Sequence, residues 1–277
     1  MTRKAFVIGH PIAHSRSPLI HGTWITQYGI DGSYEPFDVS PDDLPLFFER
    51  LKTGEFAGGN VTIPHKEAVF ALCDTLDPLA ETIGAANTLV RQPDGRVHGT
   101  NTDYLGFLGN LDANAQGWSE GLDTAIVLGA GGAARAILVA LKARGISRVH
   151  VLNRTKATAR RLAEAIDGPF HPGGLEYFTE IAGAAGLVVN TTSVGMHGTA
   201  FDTLDLSVLP KTATVTDLVY VPRRTPLLIE AEQQGLRTVD GLGMLLHQAV
   251  PGFTAWFGVE PEVSDTLRRR VEQTLEH

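Results

Sequence analysis

The sequence predicts an α/β protein of two domains, and three observations predict it. Its 277 residues suit two domains of ordinary size. Short apolar runs alternate with helix-forming stretches along most of the chain, the pattern of strand–helix units. A strand of fully buried type, Ala125 to Leu128, breaks at a glycine-rich turn and resumes as an Ala-rich helix, which is how a doubly wound nucleotide-binding sheet opens.

Bulk composition narrows the function classes. Apolar residues make up 43% and charged residues 19%, enough for substantial cores. The net charge of −8 argues against nucleic acid or an acidic membrane as the main partner. No apolar run approaches a membrane span, and the opening Met1-Thr2-Arg3-Lys4 leads into a strand instead of a signal sequence. A single cysteine, Cys73, excludes an intrachain disulfide and suits a reducing compartment, so a cytoplasmic location is expected. The ten histidines show no metal-ligand spacing, and no metal site is expected. No Gly-x-Ser-x-Gly elbow supports a serine hydrolase.

In the first domain, residues 1–104, Lys4 to Gly9 is a short strand. A polar loop follows, then a helix to about Tyr28 with Ser17 as N-cap and Pro18 behind it. Ser15 and Ser17, two positions apart beside a helix start, offer hydroxyls to a small carboxylate. Ser33 to Val39 is the second strand, and Pro41 to Lys52 a helix capped by Ser40. Phe56 to Ile63 is the third strand, with Pro64 at the first helical position after it. Lys66 then falls in a first helical turn, where the macrodipole disfavours an ammonium. An amine made less basic in this way can exchange protons near neutral pH, although a plain surface lysine fits the pattern too. Cys73 lies on the apolar face of the same helix as a core thiol. A short helix spans Leu76 to Ile83, and a hairpin pairs Thr88–Arg91 with Arg96–Gly99 about Pro93-Asp94-Gly95. Thr102 or Asp103 caps the next helix, which runs toward Ala115.

The second domain, residues 105–242, carries the strongest single signal. In Gly129-Ala130-Gly131-Gly132-Ala133-Ala134, Gly129 allows a tight turn and Gly131 lets backbone approach a pyrophosphate. Ala134 lets the helix lie close to the strand. The next strand, Arg148 to Leu152, would end in Asp or Glu if it held the ribose 2′-hydroxyl of NAD. It ends instead in Asn153-Arg154-Thr155, whose cation can pair with a 2′-phosphate, so NADP(H) is the expected cofactor. A helix over Lys156–Ile166 follows, then strands at Gly186–Asn190, Thr214–Tyr220 and Leu236–Asp240, and a helix over Pro226–Gln234. Gly241 opens a helix to about Phe257 that carries Gln248, and a charged helix spans Glu260 to Glu276.

Taken together these stretches resemble the shikimate dehydrogenase family along nearly the whole chain. The resemblance is carried by Pro11 to Pro18, Asn60 to Lys66, Gly84 to Thr88, Asn101-Thr102-Asp103, Gly129 to Ala133 and Asn153-Arg154-Thr155. It continues through Asn190 to Ser193, Tyr220 with Thr225-Pro226, and Gly241 to Met244 with Gln248. It implies a substrate domain of residues 1–104 completed by 243–277, facing a Rossmann-like NADP-binding domain of residues 105–242 across a cleft. It implies NADPH-dependent reduction of 3-dehydroshikimate to shikimate in aromatic amino-acid biosynthesis. Carried over by position, Lys66 and Asp103 form the acid/base pair. Ser15, Ser17 and Tyr220 hold the substrate carboxylate, and Asn60, Thr62, Asn87, Asp103 and Gln248 its ring hydroxyls. Gly129, Ala130, Gly131, Gly132 and Ala133 hold the pyrophosphate, and Asn153, Arg154 and Thr155 the 2′-phosphate. Thr191, Ser193, Leu218 and Gly241 complete the cofactor site.

The residue types agree with that chemistry. Hydride delivery to a ketone builds negative charge on oxygen, which needs a positioned proton donor. A polyol acid needs several amides and hydroxyls to be told from its analogues. One departure stands out: where some relatives carry a second basic residue in the 2′-phosphate loop, this chain has Thr158, with Lys156 nearby. Two rival readings stay open, a quinate/shikimate dehydrogenase with relaxed cofactor use and a non-catalytic NADP-binding regulator on the same fold. Oligomeric state is not legible, a homodimer being one form open to the chain.

Overall fold

The structure is a computed structural model that describes residues 2–275. In chain order the strands are β1 (Arg3–Gly9), β2 (Gly32–Asp38), β3 (Gly58–Val61), β4 (Thr75–Leu76), β5 (Thr88–Arg91) and β6 (Val97–Thr100). They continue with β7 (Thr124–Leu128), β8 (Arg148–Leu152), β9 (Phe170–Gly173), β10 (Leu187–Asn190), β11 (Val194–His197), β12 (Thr214–Asp217) and β13 (Arg237–Val239). The helices are α1 (Ser17–Gln27), α2 (Leu44–Lys52), α3 (Lys66–Leu72), α4 (Pro78–Ile83), α5 (Asp103–Asn114) and α6 (Gly132–Ala143). After them come α7 (Lys156–Ala165), α8 (Phe178–Ile181), α9 (Pro226–Gln233), α10 (Leu242–His247), α11 (Ala249–Phe257) and α12 (Asp265–Glu272).

The chain divides into two compact units, Met1–Thr102 with Gln248–Thr274, and Asp103–His247. The first unit is built on a mixed sheet in the order β2-β1-β3-β5-β6-β4. β1 runs parallel to β2 and β3, whereas β5 is antiparallel to both β3 and β6. One face is filled by Phe6, Phe47, Phe48, Phe56, Val61, Leu89 and Val97, and the Phe6 ring meets Phe47 and Phe56 edge-on. On the other, α11 lies against the sheet, with Trp256 Nε1 donating to the Leu89 carbonyl at 2.9 Å. Gly58 makes that approach possible: a Cβ there would stand 2.3 Å from Trp256 Nε1.

The second unit is a parallel sheet in the order β13-β12-β10-β7-β8-β9. Apart from direction of counting, this is the strand order of a Rossmann sheet, whose topological switch point lies between β7 and β10. The run Ala125 to Leu128 is wholly buried, because helices cover both faces of a parallel sheet.

Several local expectations change. Ser17 is the first residue of α1, not its cap, since the cap position is Arg16 with no side-chain bond. Pro64 lies in a turn closed by the His65 N–H on the Thr62 carbonyl at 2.9 Å, so α3 starts at Lys66. Residues 41–43 form a turn tied to the Ser40 hydroxyl, and α2 starts at Leu44. The single helix expected from Gly241 to Phe257 is two helices, with Gln248 at the junction. The last helix is confined to Asp265–Glu272 and capped by Ser264, and the expected end at Glu276 lies outside the described residues. β4, β9 and β11, which no sequence pattern predicts, are short strands with few alternating residues.

The second junction between units also falls later than residue 242, because α10 packs on α5. Asn110 Nδ2 donates to the Asp240 carbonyl at 2.7 Å, and a Cβ on Gly243 would strike the Asn110 side chain. No helix among the described residues is long and apolar enough to cross a membrane.

Candidate active site

In the first unit, the strand directions bring four segments to one sheet edge. β1 and β3 are parallel and end there, β5 begins there, and β6 ends there. The expected substrate residues occupy these ends. Ser15 and Ser17 follow β1, and Asn60 lies in β3 with Thr62 and Lys66 beyond it. Asn87 precedes β5; Asp103, the first residue of α5, follows β6 in the chain but belongs to the second unit.

Three of the expected amides form one buried network. Asn60 Nδ2 donates to the Asn87 carbonyl (3.3 Å) and to Thr88 Oγ1 (3.1 Å), while Asn60 Oδ1 accepts from the Tyr34 hydroxyl at 2.6 Å. Asn87 Oδ1 accepts from the Thr102 N–H at 2.8 Å and lies 3.0 Å from the Thr88 hydroxyl. The Thr102 hydroxyl reaches Gln248 Oε1 at 3.4 Å. Thr88 and Thr102 therefore link Asn60, Asn87 and Gln248, and both amide hydrogens of Asn60 are committed to protein. Such a satisfied network rigidifies the groups that compose it.

The segments that follow β1 and β3 at this edge carry the serine hydroxyls and the lysine. Ser15 Oγ accepts from the Ser17 N–H at 3.3 Å, and Ser17 itself is buried. Lys66 opens α3 and is clamped through its backbone, its carbonyl accepting from the Ala86 N–H at 3.0 Å. Its neighbour His65 is buried and reaches the Val39 carbonyl through Nε2 at 2.7 Å. A carbonyl only accepts, so Nε2 is the donor of this bond. Cys73, farther along, packs against Gly99, and burial pushes its thiol up to about 12.

In the second unit, the glycine turn has the geometry a phosphate cradle needs. Gly129 sits at φ +106°, and a Cβ there would stand 2.7 Å from both Thr191 Oγ1 and Thr192 Cγ2. The start of α6 has Gly131 as its cap without a side-chain bond, and Gly131, Gly132 and Ala133 are exposed, which leaves the first N–H groups open to an anion. At the end of β8, Asn153 Nδ2 donates to the Thr155 carbonyl at 3.0 Å and shapes the loop that exposes Arg154. Thr155 occupies the cap of α7 but makes no side-chain capping bond. Lys156 is drawn onto the Tyr177 ring at 4.9 Å. Arg161 donates to Thr158 Oγ1 at 3.3 Å, so a guanidinium stands beside the position that lacks a basic residue.

Beside this turn Asp217, at the end of β12, is a buried hub. Its carboxylate accepts from Asn190 Nδ2 (2.8 Å), the Val219 N–H (2.9 Å) and the Thr225 hydroxyl (2.7 Å). Burial outweighs these donors and pushes the carboxyl up to about 6. Asn190 Oδ1 in turn holds the Thr192 N–H at 3.0 Å. The hub thereby ties the loop of Thr191 and Ser193 to the loop of Leu218 and Tyr220. Gly241 lies against the latter, where a Cβ would stand 2.6 Å from the Leu218 carbonyl oxygen.

The residues that sequence reasoning missed are the supporting ones: Tyr34, Thr88, Asn190, Asp217 and Thr225. Asp217 carries a usable signal, an acid inside the apolar run Thr214 to Tyr220. Tyr34 carries none, since a tyrosine in a strand reads as packing. Among the described residues no three His, Cys, Asp or Glu side chains gather as a metal site.

Three family models match in chain order. The shikimate dehydrogenase substrate binding domain covers residues 7–89, shikimate / quinate 5-dehydrogenase residues 115–229, and the shikimate 5′-dehydrogenase C-terminal domain residues 241–269. A shikimate dehydrogenase (NADP(+)) of Rhizobium meliloti is 52% identical over 267 residues, 96% of this chain and 93% of that protein. Among solved structures, shikimate 5-dehydrogenase of Thermus thermophilus in complex with NADP(H) and shikimate aligns with a TM-score of 0.86 at 38% identity. That alignment covers 97% of this chain and 99% of that one. Quinate dehydrogenase of Corynebacterium glutamicum in complex with NAD aligns with a TM-score of 0.88 at 31% identity, covering 99% of each chain.

Proposed function

Since the chain belongs to the shikimate dehydrogenase family, we propose that it catalyses the reversible, NADPH-dependent reduction of 3-dehydroshikimate to shikimate, a step of aromatic amino-acid biosynthesis. The observation that carries this reading is the site chemistry: a rigid set of amides and hydroxyls around Lys66 in one unit, and an open phosphate-binding turn with Arg154 in the other.

The residues present fit NADP(H). Gly129, Ala130, Gly131, Gly132 and Ala133 would hold the pyrophosphate, because Gly129 leaves room where a Cβ would not and α6 offers unpaired N–H groups. Asn153, Arg154 and Thr155 would hold the 2′-phosphate, with Arg161 as the second cation. Thr191, Ser193, Leu218 and Gly241 would line the rest of the cofactor site. When bound, NADPH supplies the hydride.

This chain's own residues do the remaining work. Lys66 and Asp103 form the acid/base pair that delivers a proton to the oxygen left by hydride addition and takes it back in the oxidation direction. Ser15 and Ser17, with Tyr220, bind the carboxylate. Thr62, Asn87, Gln248 and Asp103 bind the ring hydroxyls, and Asn60 contributes chiefly by holding Asn87 and Thr88 in place. A cytoplasmic homodimer accompanies this reading as a proposal, supported for location by the lone cysteine and the demand for NADPH, and tested by light scattering and cell fractionation.

The test is an assay of the purified protein against shikimate and quinate, each with NADP and NAD. The expected result is the highest kcat/KM for shikimate with NADP. A higher kcat/KM for quinate with NAD would reassign the substrate. Silence in the NADPH absorbance band, with both ligands measurably bound, would make the chain a regulator.

A further inference from the structure

We propose that the cavity at the start of β1 binds a small organic anion carrying at least two carboxylate or phosphate charges. The site does not depend on the substrate reading, because it lies at the opposite end of the same sheet.

The strand directions that gather the substrate residues at one edge gather a different set at the other. β1 and β3 begin there, and β5 ends there. The Ala57 N–H donates to the Lys4 carbonyl at 2.8 Å, and the Arg91 N–H donates to the Ala57 carbonyl at 2.9 Å, which ties the three strands together. Beside them lies a cavity of about 370 Å³, within the size range of small-molecule sites. β1 is seven residues long. At about 3.3 Å per residue, the cavity stands about 20 Å from the end of β1 that leads to Ser15 and Ser17.

Three cations line the cavity, Arg3, Lys4 and Arg91, in a chain whose net charge is −8. Arg91 is held on two sides. Its Nε donates to the Lys52 carbonyl at 3.1 Å, and its guanidinium lies against Gly54, where a Cβ would stand 3.3 Å from Cζ. Among the described residues no protein acceptor engages its two terminal nitrogens. A half-buried guanidinium, fixed in place, thus keeps the donors that a carboxylate or phosphate takes in bidentate fashion. Arg3 is tethered through Nη1 to the Trp256 carbonyl at 3.4 Å. Lys4 acts on Glu55 through space without forming an ion pair among the described residues.

The acids nearby are already paired. Glu55, the one carboxylate in the lining, accepts from Arg50 Nε at 2.8 Å and Arg50 Nη2 at 2.5 Å. Asp94, next to the lining residue Pro93, accepts from Arg96 Nε at 2.7 Å. The three lining cations therefore lack a counter-charge of their own, and like charges gathered in a concavity raise the potential that attracts an anion. They come from two strands around a volume larger than a single oxyanion, which selects a ligand with separated charges.

The experiment is calorimetric titration of the full chain with citrate and, separately, with inorganic phosphate at constant ionic strength. NADPH and shikimate are present throughout; neither can oxidise the other, so they fill their own anion sites without reacting. The expected result is one citrate per chain, bound more tightly than phosphate. Arg91→Gln should weaken citrate about 10- to 100-fold, the loss of charge-assisted hydrogen bonds. Arg91→Lys, which keeps the charge and loses the fork, should fall between the native protein and Arg91→Gln. Lys4→Gln, an exposed change that tests the site whether or not Arg91→Gln folds, should weaken citrate about 2- to 5-fold. KM for shikimate should stay within about 2-fold in Lys4→Gln. No citrate binding to the native protein, an affinity unchanged in both Arg91→Gln and Lys4→Gln, or phosphate bound more tightly than citrate would overturn the proposal. So would binding seen only without NADPH and shikimate, since the anion would then be occupying their sites.

Discussion

Asp217→Asn tests how the site is held together, and its sign follows from the burial of one carboxyl. Asp217 has no exposed surface, and its pKa rises from the ordinary 3.8 to about 6 because desolvation outweighs three hydrogen-bond donors. The folded protein therefore holds this proton more tightly than the unfolded chain does. Below pH 3.8 the group's contribution is fully present; as pH rises through about 6 it is lost. At 1.36 kcal/mol per pH unit, the displacement from 3.8 to about 6 amounts to about 3 kcal/mol. The asparagine variant keeps an acceptor toward Asn190 and Val219 and has no proton to lose. Urea unfolding of both proteins from about pH 3.8 to about 7.5 cancels the titration of all other carboxyls in the difference. The unfolding free energy of the native protein minus that of Asp217→Asn should fall by about 3 kcal/mol across that range and then level off. A difference that is flat refutes the shift. One that rises with pH would mean that the donors from Asn190, Val219 and Thr225 outweigh desolvation.

Arg154→Ala should raise KM for NADP by about 10- to 100-fold, the loss of a charge-assisted pairing, while KM for NAD stays within about 2-fold. Equal shifts for the two cofactors would remove Arg154 from the 2′-phosphate site. Gly129→Ala places a Cβ 2.7 Å from Thr191 Oγ1 at a backbone angle of φ +106°, so it should cost on the order of 1–3 kcal/mol of stability and weaken NADP binding. A wild-type urea midpoint with wild-type NADP affinity would show that the turn can relax.

The elements that are legible in the sequence are those with a local cause. The hairpin of β5 and β6 follows from Pro93-Asp94-Gly95, and the β7 turn follows from Gly129 and Gly131. Capping is legible only in part. Ser17 looks like a cap beside Pro18, yet it is the first residue of α1, with Arg16 at the cap position and its own N–H held by Ser15 Oγ. Asp77, a true cap that accepts from the Leu79 and Ala80 N–H groups, is hidden because Leu76 reads as helical until β4 claims it. The break at Gln248 has one local signal, Pro251, which lacks the N–H that a continuous helix would bond to the His247 carbonyl and which suits the first turn of a new helix. Tertiary packing sets it: α10 belongs with α5, and α11 with β3 and β5. For the candidate site, residues that would touch ligand stand out as polar motifs in loops. Their supports, Tyr34, Thr88 and Asp217, lie in strands, where a polar side chain cannot be told from a packed one without the fold.

The most direct measurement is kcat of Lys66→Ala with shikimate and NADP, taken alongside the affinity of the variant for NADP. Loss of the proton-transferring group should lower kcat by about 100- to 10,000-fold with cofactor affinity nearly intact. A kcat within a few-fold of the native protein would contradict the account, because no ammonium at the start of α3 would then be needed for the proton.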